Sequence, residues 1–338
     1  VKITIYELAK KAGVSIATIS RAINPETRAK VAPETLRQID ELIAACGYTP
    51  NLAAKHLSKA AYKTIGVLFP HHKGMLLSEY YTQILSGIAD YLLESDYRMK
   101  MVLLKPGKWD HYDFKNGEAV DGLIVTYWRT FFSNSSVFRK LNVPCAVINN
   151  VEKDVHVRYL AGDHFEGGRM AAEYLYDRGH RWFAVMTGSH GAPDAKIRLE
   201  GFKSFLASKK VKLNPKNIFD VQFEEGRAYE MTDKLLGIRP AVTAVFCMND
   251  VQAHGVLRRL KDLGISCPGR ISVMGYDDDS LSDHSVPPLT TIRVPVYELA
   301  KTAARDLIRF LDDKKSIDFY QPQIVPVSLV ERASVRKL

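Results

Sequence analysis

Between Thr4 and Asn24 apolar residues recur at helical spacing, stop at a glycine, and begin again. Ile5, Leu8, Ala9 and Ala12 fall on one helical face. Thr4 and Glu7 stand at capping-box spacing, so Thr4 can start that helix and Glu7 can close its first turn. Gly13 sits where the chain needs a left-handed residue to leave a helix. Ser15 then offers a second N-cap, and Val14, Ile19 and Ile23 the next inward face. The pattern predicts two short helices about a tight turn, a helix-turn-helix. An ordinary helical hairpin has the same periodicity, so the outward face of the second helix has to separate the two. There Ser15, Thr18, Ser20, Arg21 and Asn24 carry hydroxyl, amide and guanidinium groups, which meet phosphates and base edges. No Glu/Lys pair of the kind that decorates a solvated face lies among them.

A polar connection, NPETRAKVA, precedes a third helix predicted from Pro33 to Cys46. Leu36, Ile39, Ile43 and Cys46 give its face, and Gly47 ends it. Pro50 breaks the chain again. Leu52 to Leu57 has helical composition but fewer than two turns, too few bonds to repay nucleation. That stretch reads as a linker unless a partner orders it. From Thr64 the pattern changes to strand–helix alternation. Apolar runs lie at 64–69, 97–104, 121–127 and 144–149, then at 181–188, 217–223, 241–249 and 270–277. Helical patterns lie at 79–94, 165–178, 195–208, 227–236 and 250–262. Strands apolar on both faces imply parallel sheets covered by helices. Two such series imply two lobes, with ligands outside the carboxyl ends of the strands.

Composition adds to this frame. The 338 residues suffice for two or three domains. Net charge is +9, which permits a nucleic-acid partner without requiring one. Residues 1–60 hold nine Lys/Arg against five Asp/Glu. No run of about 18 apolar residues could span a membrane, and no basic start followed by an apolar core marks an export signal. Cys46, Cys145, Cys247 and Cys267 are scattered, without metal-ligand spacing, which suits reduced thiols in a cytoplasmic protein. His71-His72 lacks a third ligand nearby, so no metal is expected. No dinucleotide or P-loop motif follows a strand, so no cofactor is expected either. Neither G-x-S-x-G nor H-E-x-x-H occurs. Two classes of function remain, a DNA-binding regulator and a carbohydrate-binding protein or carbohydrate-acting α/β enzyme without DNA function. Salt-dependent, sequence-selective DNA binding separates them.

The order TIYELAKKAGVSIATISRAIN, GYTPNLAAKHL, TIGVLFP, VDGLIV, RGHRWFAVMTG, RLEGF, MND, ISVMGYDD and PPLTTI resembles the lactose/galactose repressor family over essentially the whole chain. The resemblance implies a homodimeric transcriptional regulator with a pseudo-palindromic operator and a small sugar-like effector. Its expected parts are a headpiece (1–49), a hinge helix and linker (50–63) and a core like a periplasmic binding protein (64–338). Within that core the N-lobe is expected at 64–160 and 294–316, and the C-lobe at 163–290 and 320–338. By resemblance Ile16 and Ala17 choose operator bases, here only by apolar contact, and Arg21 bonds a guanine. Thr4, Ser15, Thr18, Ser20 and Asn24 match phosphate or base contacts. Asn51, Ala54 and Leu57 match the hinge, with Leu57 wedging into the minor groove. The effector set carried over is Arg198, Phe223 and Asp250, a forked donor, a flat ring and an acceptor suited to a polyhydroxylated ring. Tyr80, and the loop residues His71, His72, Trp128 and Arg129 at strand ends, are expected on the same cleft. Counting Arg198 and Arg129 against Asp250 leaves that cleft net positive, which favours an effector bearing a carboxylate or phosphate; with Arg129 turned to the surface, a neutral sugar stacked on Trp128 and Phe223 is the alternative. The Asp277-Asp278-Asp279 run is expected to be a solvated turn.

Overall fold

The computed structural model describes residues 3–23, 25–46, 48, 61–69, 75–103, 112–126, 135–149, 157–188, 192–313 and 319–338. The chain divides into two compact units, 1–62 and 63–338.

The first unit is helical. Helix α1 (Ile5–Ala12) begins at a complete capping box between Thr4 and Glu7, and ends at Gly13 with φ 65°. Helix α2 (Ile16–Ile23) starts at Ser15, whose Oγ accepts from the Thr18 amide at 3.1 Å. Two further helices follow, α3 (Pro25–Arg28), inside the stretch expected to be a plain connection, and α4 (Pro33–Cys46). Leu8, Ala9, Ala12, Ile19, Ala22, Val31, Ile39 and Tyr48 close one small core. Arg28 fastens its edge, donating to the Ala22 carbonyl at 2.8 Å and pairing with Asp40.

The second unit holds two parallel sheets. The first has six strands in the order β11-β5-β4-β3-β1-β2. These are β1 (Thr64–Leu68), β2 (Arg98–Val102), β3 (Gly122–Val125), β4 (Cys145–Ile148), β5 (Arg158–Gly162) and β11 (Gln323–Val325). The second has four, in the order β7-β6-β8-β9. They are β6 (Phe183–Thr187), β7 (Ile218–Asp220), β8 (Ala244–Cys247) and β9 (Ser272–Met274). Strands β10 (Thr291–Arg293) and β12 (Ser328–Val330) pair antiparallel between the series. In each sheet the order reverses beside its first strand, which puts the switch-point crevices at the ends of β1/β3 and β6/β8.

Helix α5 (Glu79–Leu92) covers the first sheet beside α12 (Val296–Asp312). In the second lobe α7 (His164–Asp177) lies against α8 (Pro193–Ser208), with α9 (Glu225–Leu236) against α10 (Asp250–Asp262). Gly168 makes the α7–α8 contact possible, since a Cβ there would lie 2.0 Å from the Arg198 carbonyl oxygen. That close approach seats Arg198.

The expected lobe division needs one correction. Residues 320–338 were assigned whole to the C-lobe, but Gln323, Ile324 and Val325 pair with Leu160, Ala161 and Gly162 of the first sheet. The cause is a buried charge. Arg158 pairs with Asp306 at 2.7 Å and donates to Gln323 Oε1 at 2.6 Å, so the returning strand supplies an acceptor that the guanidinium needs. The chain therefore leaves the first sheet for the last time after Val325, not before residue 320 as the expected lobe ranges have it. All three crossings meet at Gly162, where a Cβ would stand 2.9 Å from Val294 and 3.1 Å from Val327.

Candidate DNA-reading face and effector cleft

On the headpiece, Ser15, Ala17, Ser20 and Arg21 are exposed along α2, and Thr18 is partly so. Ile16 is 41 % exposed, a high value for isoleucine, and it stands beside Ala17 on the outward face. Two of the hydroxyls already have local work. Thr4 caps α1, and Ser15 Oγ lies 2.9 Å from Thr18 Oγ1 as well as capping α2. The sequence reading passed over Tyr6, an aromatic 70 % exposed on α1. Asn24, Asn51, Ala54 and Leu57 lie outside the described residues.

In the second unit the focus is Arg198, 3 % exposed on α8. Its guanidinium carbon sits 3.9 Å above the centre of the Tyr276 ring. Nη1 donates to the Met248 carbonyl just past β8, and Nε reaches His164 Nδ1 at 3.4 Å. Nη2 faces two carboxylates, Asp194 at 3.4 Å and Asp277 at 3.7 Å. His164 Nδ1 also lies 3.1 Å from the Tyr276 hydroxyl. Arg198 can only donate, so Nδ1 accepts and Nε2 carries the proton of the neutral ring. Burial, with Arg198 beside it, holds the His164 pKa well below its ordinary value. Gly167 admits this arrangement, because a Cβ there would lie 2.3 Å from the Tyr276 hydroxyl.

Asp277 is the acceptor that sequence reasoning missed. It was expected in a solvated turn, yet it is half-buried and its Oδ1 accepts no hydrogen bond from a described residue. Its φ is 109°, followed by 62° at Asp278. Such angles are strained for residues with a Cβ, and they occur where a site dictates the backbone. Burial pushes the Asp277 carboxyl well above the usual range, against the pull of Arg198. Asp278 is not solvated either, since Arg332 holds it at 2.8 Å and Arg293 at 2.6 Å.

The first lobe contributes Tyr80, whose hydroxyl accepts from Asn149 Nδ2 at 2.9 Å. Burial raises the Tyr80 pKa, with smaller contributions from Tyr81 and from the negative charges of Asp194 and Asp277. Phe223, with φ 61°, lays its ring on Gly188 at the end of β6, where a Cβ would come within 2.1 Å of the ring. Tyr80, Asn149, Arg198, Asp277 and Phe223 thus stand at or beside strand ends. His71, His72, Trp128 and Arg129 lie outside the described residues.

Asp250 does not join this group as a free acceptor. It is 1 % exposed and accepts from Thr291 Oγ1 at 2.6 Å, Ser282 Oγ at 2.8 Å and the Asp279 amide at 2.9 Å. Asn249, beside it, is the true cap of α10, in a capping box with Gln252. Burial and the Asp279 charge push the Asp250 carboxyl up to about 7, while its three donors pull the other way. Asp250 therefore shapes the turn that presents Asp277. Among the described residues one guanidinium, Arg198, faces two carboxyl groups, while Arg129, the second cation of the expected positive cleft, lies outside them.

A headpiece with an exposed polar recognition helix, followed by two parallel-sheet lobes, is the arrangement of a DNA-binding transcriptional regulator rather than an enzyme. Residues 4–51 match the model for bacterial regulatory proteins of the lacI family, and residues 172–335 the periplasmic binding protein-like domain. The transcriptional repressor PurR of Vibrio cholerae is 30% identical over 344 residues, covering 99% of this chain and 98% of that protein. The chain belongs to the LacI family. The PurR of Actinobacillus pleuropneumoniae is 29% identical, with 99% of each chain covered. Among solved structures, a LacI-family regulator of Enterococcus faecium with bound ribose is 26% identical, with TM-score 0.70 over 81% of this chain and 99% of that one. The lac repressor dimer bound to operator shares the fold at TM-score 0.83 and 24% identity, over 99% of this chain and 100% of that one. No helix among the described residues is long and apolar enough to cross a membrane.

Proposed function

We propose that this chain is a repressor that grips a pseudo-palindromic operator as a homodimer through α2, and whose operator affinity is set by a small hydroxyl-rich effector between the lobes. Arg21, Ile16 and Ala17 are the residues we assign to base reading, and Asp277, Asp194, Tyr80, Asn149 and Phe223 those we assign to the effector. One observation carries the effector class. The Arg198 guanidinium faces two carboxyl groups, Asp194 at 3.4 Å and Asp277 Oδ1 at 3.7 Å, and that Oδ1 accepts no hydrogen bond from a described residue. A carboxyl acceptor takes a hydroxyl donor, whereas an anionic group there meets two carboxyl groups beside a single guanidinium. Phe223 offers the apolar face of a sugar ring its counterpart. The uncharged effector replaces the anionic one expected above.

Two measurements test this reading. Selection from random DNA should return a two-fold symmetric site, bound with a steep salt dependence and on the order of 10³-fold or more over nonspecific DNA. Calorimetry of the full chain with a sugar and with its uronic acid or phosphate should favour the neutral member. Tighter binding of the charged member overturns the effector class, and no selectivity among DNA sequences overturns the regulator.

A further inference from the structure

One contact joins the lobes at the mouth of this cleft and belongs to neither sheet. Glu79, the first residue of α5, reaches from the first lobe to Ser280, the first residue of the short helix α11 (Ser280–His284). Its carboxylate accepts from the Ser280 amide at 3.0 and 2.9 Å and from Ser280 Oγ at 2.6 Å. Both halves are held ready. Gln83 Nε2 donates to Glu79 Oε1 at 3.0 Å and orients the carboxylate. On the other side the left-handed residues Asp277 and Asp278 turn the chain so that the Ser280 amide points outward. Asp278 is fixed by Arg293 and Arg332, and Asp279 by Ser282 and His254. The contact also has a telling address. Glu79 immediately precedes Tyr80, and Ser280 lies three residues after Asp277, so the two cleft faces and the two halves of the bridge are carried on the same two short segments.

We infer that Glu79 and Ser280 form a clasp that holds the two lobes closed over the effector cleft, and that the strained 277–279 turn exists to serve the clasp and the cleft together. The clasp rests on the effector reading for its purpose but not for its existence. A carboxylate that accepts a main-chain amide and a hydroxyl is worth more than a neutral contact, yet its exposure to water keeps it modest. It is therefore strong enough to bias the lobe equilibrium and weak enough to be broken by a ligand that props the lobes apart.

The substitutions that remove it are local. Glu79→Gln removes the charge and turns half of the acceptor into a donor. Ser280→Pro deletes both donors at once, and proline fits a first helical position after Asp279, whose φ −69° and ψ 161° already suit a residue before proline. Ser280→Ala keeps the amide and should act half-way. The readout is the distance across the lobes in the ligand-free full-length chain. Spin labels on unnatural amino acids at the exposed positions Ser86 of α5 and Lys203 of α8, diluted with unlabelled chain, report it. Glu79→Gln and Ser280→Pro should each raise the open population roughly threefold or more, with little change in melting temperature. Unchanged distance distributions in both variants would overturn the clasp. Because no ligand is present, failure of every sugar to bind would end the effector reading and leave the clasp standing. Unchanged distances in a chain that does bind a sugar would end the clasp alone.

Discussion

Replacing Gly168 by alanine tests whether the α7–α8 contact seats Arg198. The added Cβ would stand 2.0 Å from the Arg198 carbonyl oxygen, 2.8 Å from its carbon and 3.1 Å from its Cα. Those are main-chain atoms in mid-helix, so no side chain can swing away. An ordinary contact is about 3.5 Å, so the helices must part by about 1.5 Å at this point. Gly201 of α8 blocks a compensating slide, because it meets the Phe165 carbonyl oxygen of α7 just as closely, at 2.0 Å for its own Cβ. Overpacking of that kind costs about 3 kcal/mol, and the better helix propensity of alanine returns about 1. A net loss of about 2 kcal/mol is expected. Gly226 in α9 is the control, since nothing lies within 4 Å of its Cβ position. Gly226→Ala should stabilise by about 0.5 kcal/mol. Urea unfolding followed by fluorescence gives both numbers, and sugar calorimetry on the Gly168 variant gives the functional effect of displacing Arg198. If Gly168→Ala unfolds within 0.5 kcal/mol of the parent chain, the reasoning from close approach is refuted.

Three further outcomes are expected. Arg21→Ala should lose about 1–3 kcal/mol per half-site and relax preference at one operator position; equal weakening on all sequences in a binding titration would make Arg21 a phosphate contact. Thr4→Ala removes the cap of α1 and should cost about 1 kcal/mol of headpiece stability by thermal melting, and no change would mean that Glu7 alone closes that turn. The third outcome is a pH dependence: Asp250 rises from 3.8 to about 7 on folding and His254 is raised as well, so both contributions are full at low pH and are lost as pH rises through the folded values. Asp279, which is lowered, acts oppositely but only at more acid pH. The Asp250 share should therefore be lost between about pH 4 and 7, by up to ~1.4 kcal/mol per pH unit, with Asp277 acting the same way and His164 and His180, both held low, acting oppositely. In denaturant titrations across pH the difference between the parent and Asp250→Asn should shrink over that range, whereas a difference that does not change with pH would contradict the assignment.

What could be read from residues alone was what local spacing controls. The Thr4–Glu7 box, the left-handed Gly13, the Ser15 cap and the bounds of α4 involve partners within a few positions, and the structure has all of them. The apolar strands β1, β3, β4, β6 and β8 were equally visible, since both of their faces are buried. Strand β5 was not, because it opens on Arg158, whose charge looks like a loop until Asp306 is placed against it from 148 positions away. Strands β10, β11 and β12 have three residues each, too few for a period. Helix α12 was legible and passed over, although Leu299, Ala300, Ala303, Ala304 and Leu307 repeat at helical spacing and are all buried.

The cleft shows why charge cannot be counted from strand ends. Arg198 is a cation at a ligand-facing position, and position alone invites an anion. The fold has spent that charge. Nη1 donates to Met248, Nε reaches His164, Asp194 and Asp277 balance the charge at 3.4 and 3.7 Å, and Tyr276 takes its face. What this cluster leaves over is an Asp277 Oδ1 that has Arg198 at ion-pair distance and no hydrogen bond from a described residue. Asp250 makes the complementary point. It occupies a helix start where a carboxylate invites a functional reading, yet Thr291, Ser282 and the Asp279 amide use up its acceptors. The two aspartates have exchanged the roles that their positions suggest. A buried Arg198 fixes the geometry, Asp250 fixes the turn, and Asp277 is left as the group that can choose a ligand. On this logic Asp277→Asn should weaken sugar binding in calorimetry by at least tenfold, about 1.4 kcal/mol, while Arg198 stays in place. An Asp277→Asn chain that binds its sugar as tightly as the parent would return the choice of ligand to groups elsewhere on the cleft.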